Sequence, residues 1–451
     1  MKDLTQGPIG RHVAELSIPM AIGMLVQTLY YFIDLYFVAK LGDAAIAAVS
    51  SAGTVFFIVM ALTQVLAVAT VALVSQAVGR KDQAEANLAF NQSVAMAALF
   101  TVITLVAGFL LAGAYMGMLA ADEPTRDAGV VFLHWFIPGM ALQFTMAVMG
   151  SGLRGTGIVK PGMVVQMVTV LVNAGLAPIL IAGWGTGHPL GVAGAALATT
   201  LASAFGVLLL GFYFVRLEKY VHFDTALMHP RMEIWKRMLV VGLPAGGEFL
   251  LLGLFTGLLY WITGRVSAGA QAGFGVASRV MQMIFLPAMA VAFSAAPLAG
   301  QNFGARKGDR VRETFRVSVS ASIVIMLAMT AVCQLAGESM VRFFSPEPAV
   351  VSVGSEFLRI ISLNFFGQGI VWTCSSMFQG LGNTLPSLAS SAMRVVTFAL
   401  PAIWISMQPG FQLVHIWYVS VVTVLLQAGL SVWLLQREMN KRLGGMAPQA
   451  A

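Results

Sequence analysis

Charge is what this chain has least of. Only 10% of its 451 residues are Asp, Glu, Lys or Arg, whereas 58% are hydrophobic. A mean hydropathy of +0.84 excludes an ordinary soluble globular protein. No polar stretch is long enough for a soluble domain, so a fused ATP-binding domain is excluded too. Any pumping must then draw on an ion gradient. Cysteine is nearly absent: Cys333 and Cys374 both fall in apolar runs, where small buried hydrophobes fit better than a disulfide or a metal site. The six histidines are scattered (His12, His134, His188, His222, His229, His415), with no HExxH and no close pair. The segment GLRGTGIVKP resembles a phosphate-binding loop only superficially, because it lacks the GKS/T ending and a preceding strand. The N-terminus lacks a short apolar core followed by a small-residue cleavage site, so no removable signal peptide is expected.

What is present is apolar and periodic. Twelve runs, centred near residues 27, 60, 102, 139, 173, 203, 251, 285, 325, 365, 396 and 424, are each long enough to cross ~30 Å of hydrocarbon. The expected fold is an all-α membrane protein of twelve transmembrane helices. The net charge of +7 does not suggest nucleic acid, because the basic residues crowd into alternate loops. With a cytoplasmic N-terminus, the termini and the loops after even spans hold roughly nineteen Lys and Arg. The loops after odd spans hold about four (Lys40, Arg126, Arg265, Arg342). Both termini are therefore expected in the cytoplasm.

The chain also repeats itself at a spacing of 225 residues. Pro19 returns as Pro244, Lys40 as Arg265, Gln76 and Gly79 as Gln301 and Gly304, and Pro161 as Pro386. The longest polar break, from Arg216 to Arg237, divides the chain into two halves of six spans. An even number of spans sends both halves into the membrane from the same side, so the repeat is parallel. The expected organisation is an N-lobe (1–216), a cytoplasmic linker (217–237), a C-lobe (238–436) and a cytoplasmic tail (437–451). Duplication of an almost wholly apolar chain is the mark of a secondary transporter.

Ionisable groups at membrane depth are costly, so each is a candidate for function. If the first helix meets the bilayer near Ile18, Asp34 lies about sixteen residues on, roughly 24 Å deep. A carboxylate there can bind H⁺ or Na⁺, or it can be a loop-facing acid near the helix end. Tyr30, Tyr31 and Tyr36 around it suit an interfacial belt or an aromatic wall for an organic cation. Glu248 follows Pro244 by one turn and lies ~15 Å deep, with Arg394 at a similar depth and Arg279 further out. Glu248 is either the acid of a structural ion pair with one of these arginines or a second proton or substrate site. Pro19, Pro138, Pro178, Pro244, Pro287, Pro297 and Pro401 fall within or at the ends of spans. Each removes one helical hydrogen bond and permits a kink. The 26 methionines offer adaptable apolar surface, though lipid-facing filler accounts for most.

These residues resemble the multidrug and toxic compound extrusion (MATE) family over essentially the whole chain. The likeness is carried by the Pro19–Asp34 stretch, SQAVGRKD at 75–82, GLRGTGIVKP at 152–161, VNAGLAPILIAG at 172–183 and GVAGAALATT at 191–200. SRVMQMIFLPAMAVAFSAAPLAGQNFGA at 278–305 and QGLGNTLP at 379–386 extend it through the second half. The resemblance implies an antiporter of a bacterial inner membrane, exchanging Na⁺ or H⁺ for cationic amphipathic drugs. The implied partners are small organic cations and membrane lipids, with no cofactor beyond the coupling ion and no second subunit. Asp34 resembles the family's helix-one carboxylate and Pro19 the proline at which that helix bends. Asn173 matches the helix-five asparagine beside that acid, and Thr199 the helix-six hydroxyl. Ala177 stands where an acid often follows that asparagine, Val371 stands near the place of a helix-ten acid, and Glu248 precedes the usual helix-seven glutamate by about one turn. A thinner oxygen set favours protons over Na⁺. A lipid-linked oligosaccharide flippase of the same superfamily is the alternative. A membrane-embedded enzyme would need clustered catalytic residues, and a channel would not need the duplication.

Overall fold

The computed structural model describes residues 1–39, 49, 54–119, 122–185 and 187–446, and the side chains of residues 29–39 lie outside that description. Among the described residues, twelve helices are long and apolar enough to cross a membrane. They are α1 (Ile9–Ala39), α2 (Thr54–Gly79), α3 (Gln83–Leu119), α4 (Glu123–Gly155), α5 (Lys160–Ala182) and α6 (Gly191–Arg216). The second six are α7 (Met232–Val266), α8 (Ala268–Gly304), α9 (Gly308–Phe344), α10 (Pro348–Leu381), α11 (Leu385–Ser406) and α12 (Leu413–Leu443). A 3-10 turn at Ser362–Asn364 interrupts α10. No strand occurs among the described residues. Without water to satisfy backbone N–H and C=O groups, helices are what an apolar chain of this kind can build. All twelve spans expected from the sequence are helical at their centres.

The repeat is written into the backbone as well as the sequence. Both ends of α3 (83 and 119) and of α9 (308 and 344) are 225 residues apart. The loops before them place Lys81 and Arg306, again 225 apart, at φ 60° and 59°. These are the only two non-glycine residues of positive φ among those described. Gly157 and Gly382 repeat the same relation at φ 80° and 74°. Packing repeats too. A Cβ at Gly155 would meet Val74 at 2.9 Å and the Ser75 amide at 3.2 Å. At Gly380 it would meet Ala299 at 2.9 Å and the Gly300 amide at 3.1 Å. Glycine at these two sites lets neighbouring helices touch backbone to backbone.

Inside and outside differ in size of side chain more than in polarity. Leu110, Leu208, Leu335 and Leu400 are exposed on the lipid side, whereas α8 buries Ala277, Ala288, Ala292, Ala295 and Ala299. Lipid is as apolar as leucine, so close packing of small residues holds such helices together. α2 and α8, counterparts in the repeat, are the most enclosed spans.

The chain forms two compact units: Met1–Asp3 with Ile22–Gly246, and Leu4–Ala21 with Gly247–Ala451. These units and the sequence repeats are different partitions, because α1 changes unit just after Pro19 and α7 just after Pro244. In the first unit Phe90 stacks on Phe214 at 4.8 Å, within a core shared by α2, α3, α4 and α6. In the second, Trp417 packs edge-on to Phe357 at 4.8 Å and parallel to Phe274.

α3 and α9 have 37 residues each, roughly 55 Å of helix, well beyond the hydrocarbon thickness. The surplus at their N-terminal ends is polar and serves as a clamp. On α3, the Asn87 Oδ1 accepts from the His222 amide at 2.8 Å, and Asn91 takes both the His222 carbonyl and the Asp224 amide at 2.9 Å. Gln92 donates to the Leu227 and His229 carbonyls and accepts from the Arg231 amide. Residues 219–231 thus lie along α3, held by side-chain amides as a strand is held by a neighbour. In the second unit the segment before α1 is held alike. The Leu4 amide donates to Gln301 at 2.9 Å, Lys307 donates to the Thr5 carbonyl at 2.9 Å, and Arg310 donates to the Gly7 carbonyl at 2.9 Å. Gln92→Ala would orphan three backbone groups, so a loss of about 2–3 kcal/mol is expected. Thermal unfolding of the purified variant checks this, and an unchanged midpoint would show that water replaces the clamp.

Candidate functional site

In the first unit the polar centre is small. Asn173 on α5 is buried, at 1% exposure, and its Nδ2 donates to Thr199 Oγ1 on α6 at 3.3 Å. Thr199 in turn donates to the Ala195 carbonyl at 3.2 Å. One turn along α5, Pro178 has no N–H to offer the carbonyl of Ala174. That leaves a further acceptor beside Asn173. Ala177 is fully buried on the same helix and brings no oxygen of its own. Asp34, Tyr30, Tyr31 and Tyr36 lie on the α1 backbone, and their side chains lie outside the described residues. Pro19 is buried within α1.

A second hydroxyl-lined contact holds α4 against α6. The Gly139 amide donates to Thr200 Oγ1 at 3.1 Å, and a Cβ at Gly139 would come within 2.9 Å of the Thr200 Cα. The Pro138–Gly139 pair therefore sets how closely these helices approach.

The second unit holds the richer site. Glu248 on α7 accepts three serine hydroxyls: Ser375 of α10 at 3.0 Å and Ser387 of α11 at 2.8 Å on Oε2, and Ser391 of α11 at 3.3 Å on Oε1. Ser391 also accepts from Gln427 of α12 at 3.1 Å, which links four helices through one carboxylate. Ser387 and Ser391 are four apart and so share a face of α11. Val371, near the place of the helix-ten acid, is buried.

The ion pair considered for Glu248 does not form. Arg394 donates instead to Gln368 Oε1 at 3.1 Å, and its guanidinium rests 4.4 Å from the centre of the Phe255 ring. Arg279 is exposed and makes no hydrogen bond or ion pair among the described residues. Hydroxyl groups hold the acid, an amide and an aromatic face hold the arginine, and on α11 Ser391, a partner of Glu248, precedes Arg394 by one turn. The serines went unremarked in the sequence. Two of them, Ser387 and Ser391, stand with Ser390 in LPSLASSAMR at i, i+4 and i+3 of an apolar helix, where lipid alone gives no use for hydroxyls; the third, Ser375, lies on α10.

This geometry can now be set beside known proteins. The MatE family model matches residues 19–179 and again 244–405, the second match beginning 225 residues after the first, as in the repeat. The chain belongs to the MATE family. Multidrug export protein MepA of Staphylococcus aureus is 26% identical over 407 residues, covering 88% of this MATE chain and 89% of MepA. The probable multidrug resistance protein YpnP of Bacillus subtilis is 28% identical over 417 residues, covering 89% and 91%. Among solved structures, a multidrug resistance MATE family transporter in an outward-facing conformation superposes with a TM-score of 0.90 at 24% identity, covering 98% of each chain. A likeness at that identity speaks for the MATE fold, which this chain shares as a multi-pass membrane protein of two six-helix repeats.

Proposed function

We infer that this MATE chain is a secondary active antiporter of a bacterial inner membrane, both termini cytoplasmic. It exports cationic amphipathic compounds in exchange for protons. The observation that carries this reading is Glu248: a carboxyl at membrane depth, held by three neutral hydroxyls with no cation paired to it among the described residues. Such a group can gain and lose a proton without breaking an ion pair, as a coupling site must. Asp34 is the coupling carboxyl of the first half, with Asn173 and Thr199 as its polar surroundings and Tyr30, Tyr31 and Tyr36 as cargo wall. Protons are favoured over Na⁺ because Ala177 and Val371 remove oxygens that a metal cation would need, whereas a proton needs one carboxyl. The names of MepA and YpnP support a drug cargo. In alternating access the kinks available at Pro19 and Pro244 let α1 and α7 bend as the sites open to one side and then the other.

The test is efflux from proteoliposomes loaded with ethidium. A proton gradient alone is expected to drive the dye, and a sodium gradient alone is expected not to. Movement under sodium only would overturn proton coupling, and movement under neither would overturn the antiport reading.

A further inference from the structure

Arg394 is a half-buried cation with no acid paired to it among the described residues. It lies nine residues into α11, roughly 13 Å along a helix of about 33 Å, so it stands near the middle of the membrane. It does not face lipid. Ser387, Ser391, Arg394, Phe398 and Ala402 follow one face of α11, while Val396, Leu400 and Trp404 form the exposed face. Snorkelling to the headgroups is out of reach from that depth. A guanidinium offers five N–H donors. Here Nη1 has Gln368, and Nε is buried with no acceptor. Phe255, itself packed 4.7 Å from Phe398, covers one face of the guanidinium. Gln368 must turn its oxygen toward the arginine, because arginine can only donate, and so presents its NH₂ as a further donor beside the guanidinium. No ion pair within 4.0 Å reaches Arg394 among the described residues.

Unpaired positive charge at the membrane centre is expensive, and amide and aromatic contacts do not neutralise it. Convergent donors of this kind, with a planar fork among them, match a carboxylate or a phosphate. We propose that Arg394 and Gln368, backed by Phe255, form a subsite for the anionic oxygen group of an amphipathic aromatic molecule. The second unit thereby accepts cargo bearing a carboxylate as well as a cationic centre. This goes beyond the export of simple organic cations, for which an unpaired arginine at mid-membrane would be a repulsive neighbour. Glu248 of α7, bonded to Ser391 one turn before Arg394 on α11, supplies the opposite sign for the other end of such a zwitterion.

The experiment is equilibrium binding to the detergent-purified protein, read by fluorescence anisotropy with two dyes. Rhodamine 110 carries a free carboxylate, and rhodamine 123 is its methyl ester. Arg394→Gln is expected to weaken rhodamine 110 by about tenfold or more, the range for losing a hydrogen bond to a charged group. It should change rhodamine 123 by less than about twofold, which also shows that the variant is folded. Arg394→Lys should fall between, since it keeps the charge and loses the fork; it carries the same two-dye comparison if the glutamine variant does not fold. Added phosphatidylglycerol separates the sources of the anion. If it competes with rhodamine 110 in the wild type but not in Arg394→Gln, the subsite also takes a headgroup phosphate. Equal losses for both dyes, or no loss for either, would overturn the proposal. No gradient is imposed, so failure of the antiport reading leaves this result interpretable, and the reverse also holds.

Discussion

Asp34→Asn is expected to abolish proton-driven efflux, by about a hundredfold or more, while leaving the protein folded and able to bind dye. Asparagine has nearly the volume and polarity of the acid, so the helix and its packing have little reason to change. What it lacks is exchange of a proton, and coupling requires a group whose charge differs between the two halves of the cycle. The loss therefore belongs in the transport rate under a gradient, and equilibrium dye affinity should shift by only a few fold. Proteoliposome efflux and dye binding on one preparation separate the two. Retained gradient-driven efflux in Asp34→Asn would remove Asp34 from the coupling role.

Glu248 is expected to divide in its effects according to what replaces it. Alanine strips the acceptor from Ser375, Ser387 and Ser391 at once and leaves a void where four helices meet. A loss of about 2–4 kcal/mol is expected from the orphaned hydroxyls and the cavity. The midpoint of thermal unfolding should fall accordingly. Glutamine keeps one oxygen to accept the serines and conserves volume, so Glu248→Gln should unfold close to the wild type. Its proton-driven efflux should nonetheless fall by about tenfold or more, because the amide cannot take up or release the proton. A glutamine variant normal in both stability and efflux would reduce Glu248 to a helix-packing residue.

The two sites differ in how far they could be read ahead of the structure. The family resemblance picks out Asn173 and Thr199 separately, and in the structure they meet at 3.3 Å. They lie on consecutive helices joined by a short loop, so little freedom remains in how those helices face each other. Glu248 stands out in the sequence by its depth and its place near the family's helix-seven glutamate, and the sequence offers Arg279 and Arg394 as its possible ion-pair partners. The true partners sit 127, 139 and 143 residues away on α10 and α11. Which face of α11 turns toward α7 depends on the rotation and tilt of packed helices. An apolar span carries almost no sign of that rotation, because its lipid face is as hydrophobic as its inner face.

The clamp on residues 219–231 makes the same point from the polar side. Gln83, Asn87, Asn91 and Gln92 recur at helical spacing in ordinary-looking amphipathic sequence, and only the fold shows the linker lying against them. The linker's polarity marked it as outside the membrane without indicating that it is held.

By itself, then, the sequence determined the helical class, the twelve spans and the two parallel repeats. Those follow from one-dimensional requirements: a minimum apolar length to cross hydrocarbon, helix as the means of satisfying the backbone there, and an offset that survives as Pro19 and Pro244, Lys81 and Arg306, Gly157 and Gly382. Only the tertiary structure decided that Glu248 rests on serines, that Arg394 has no acid partner among the described residues, and that α1 and α7 each belong to both compact units. Those are outcomes of close packing between helices distant in sequence, where a few degrees of rotation choose which side chains meet.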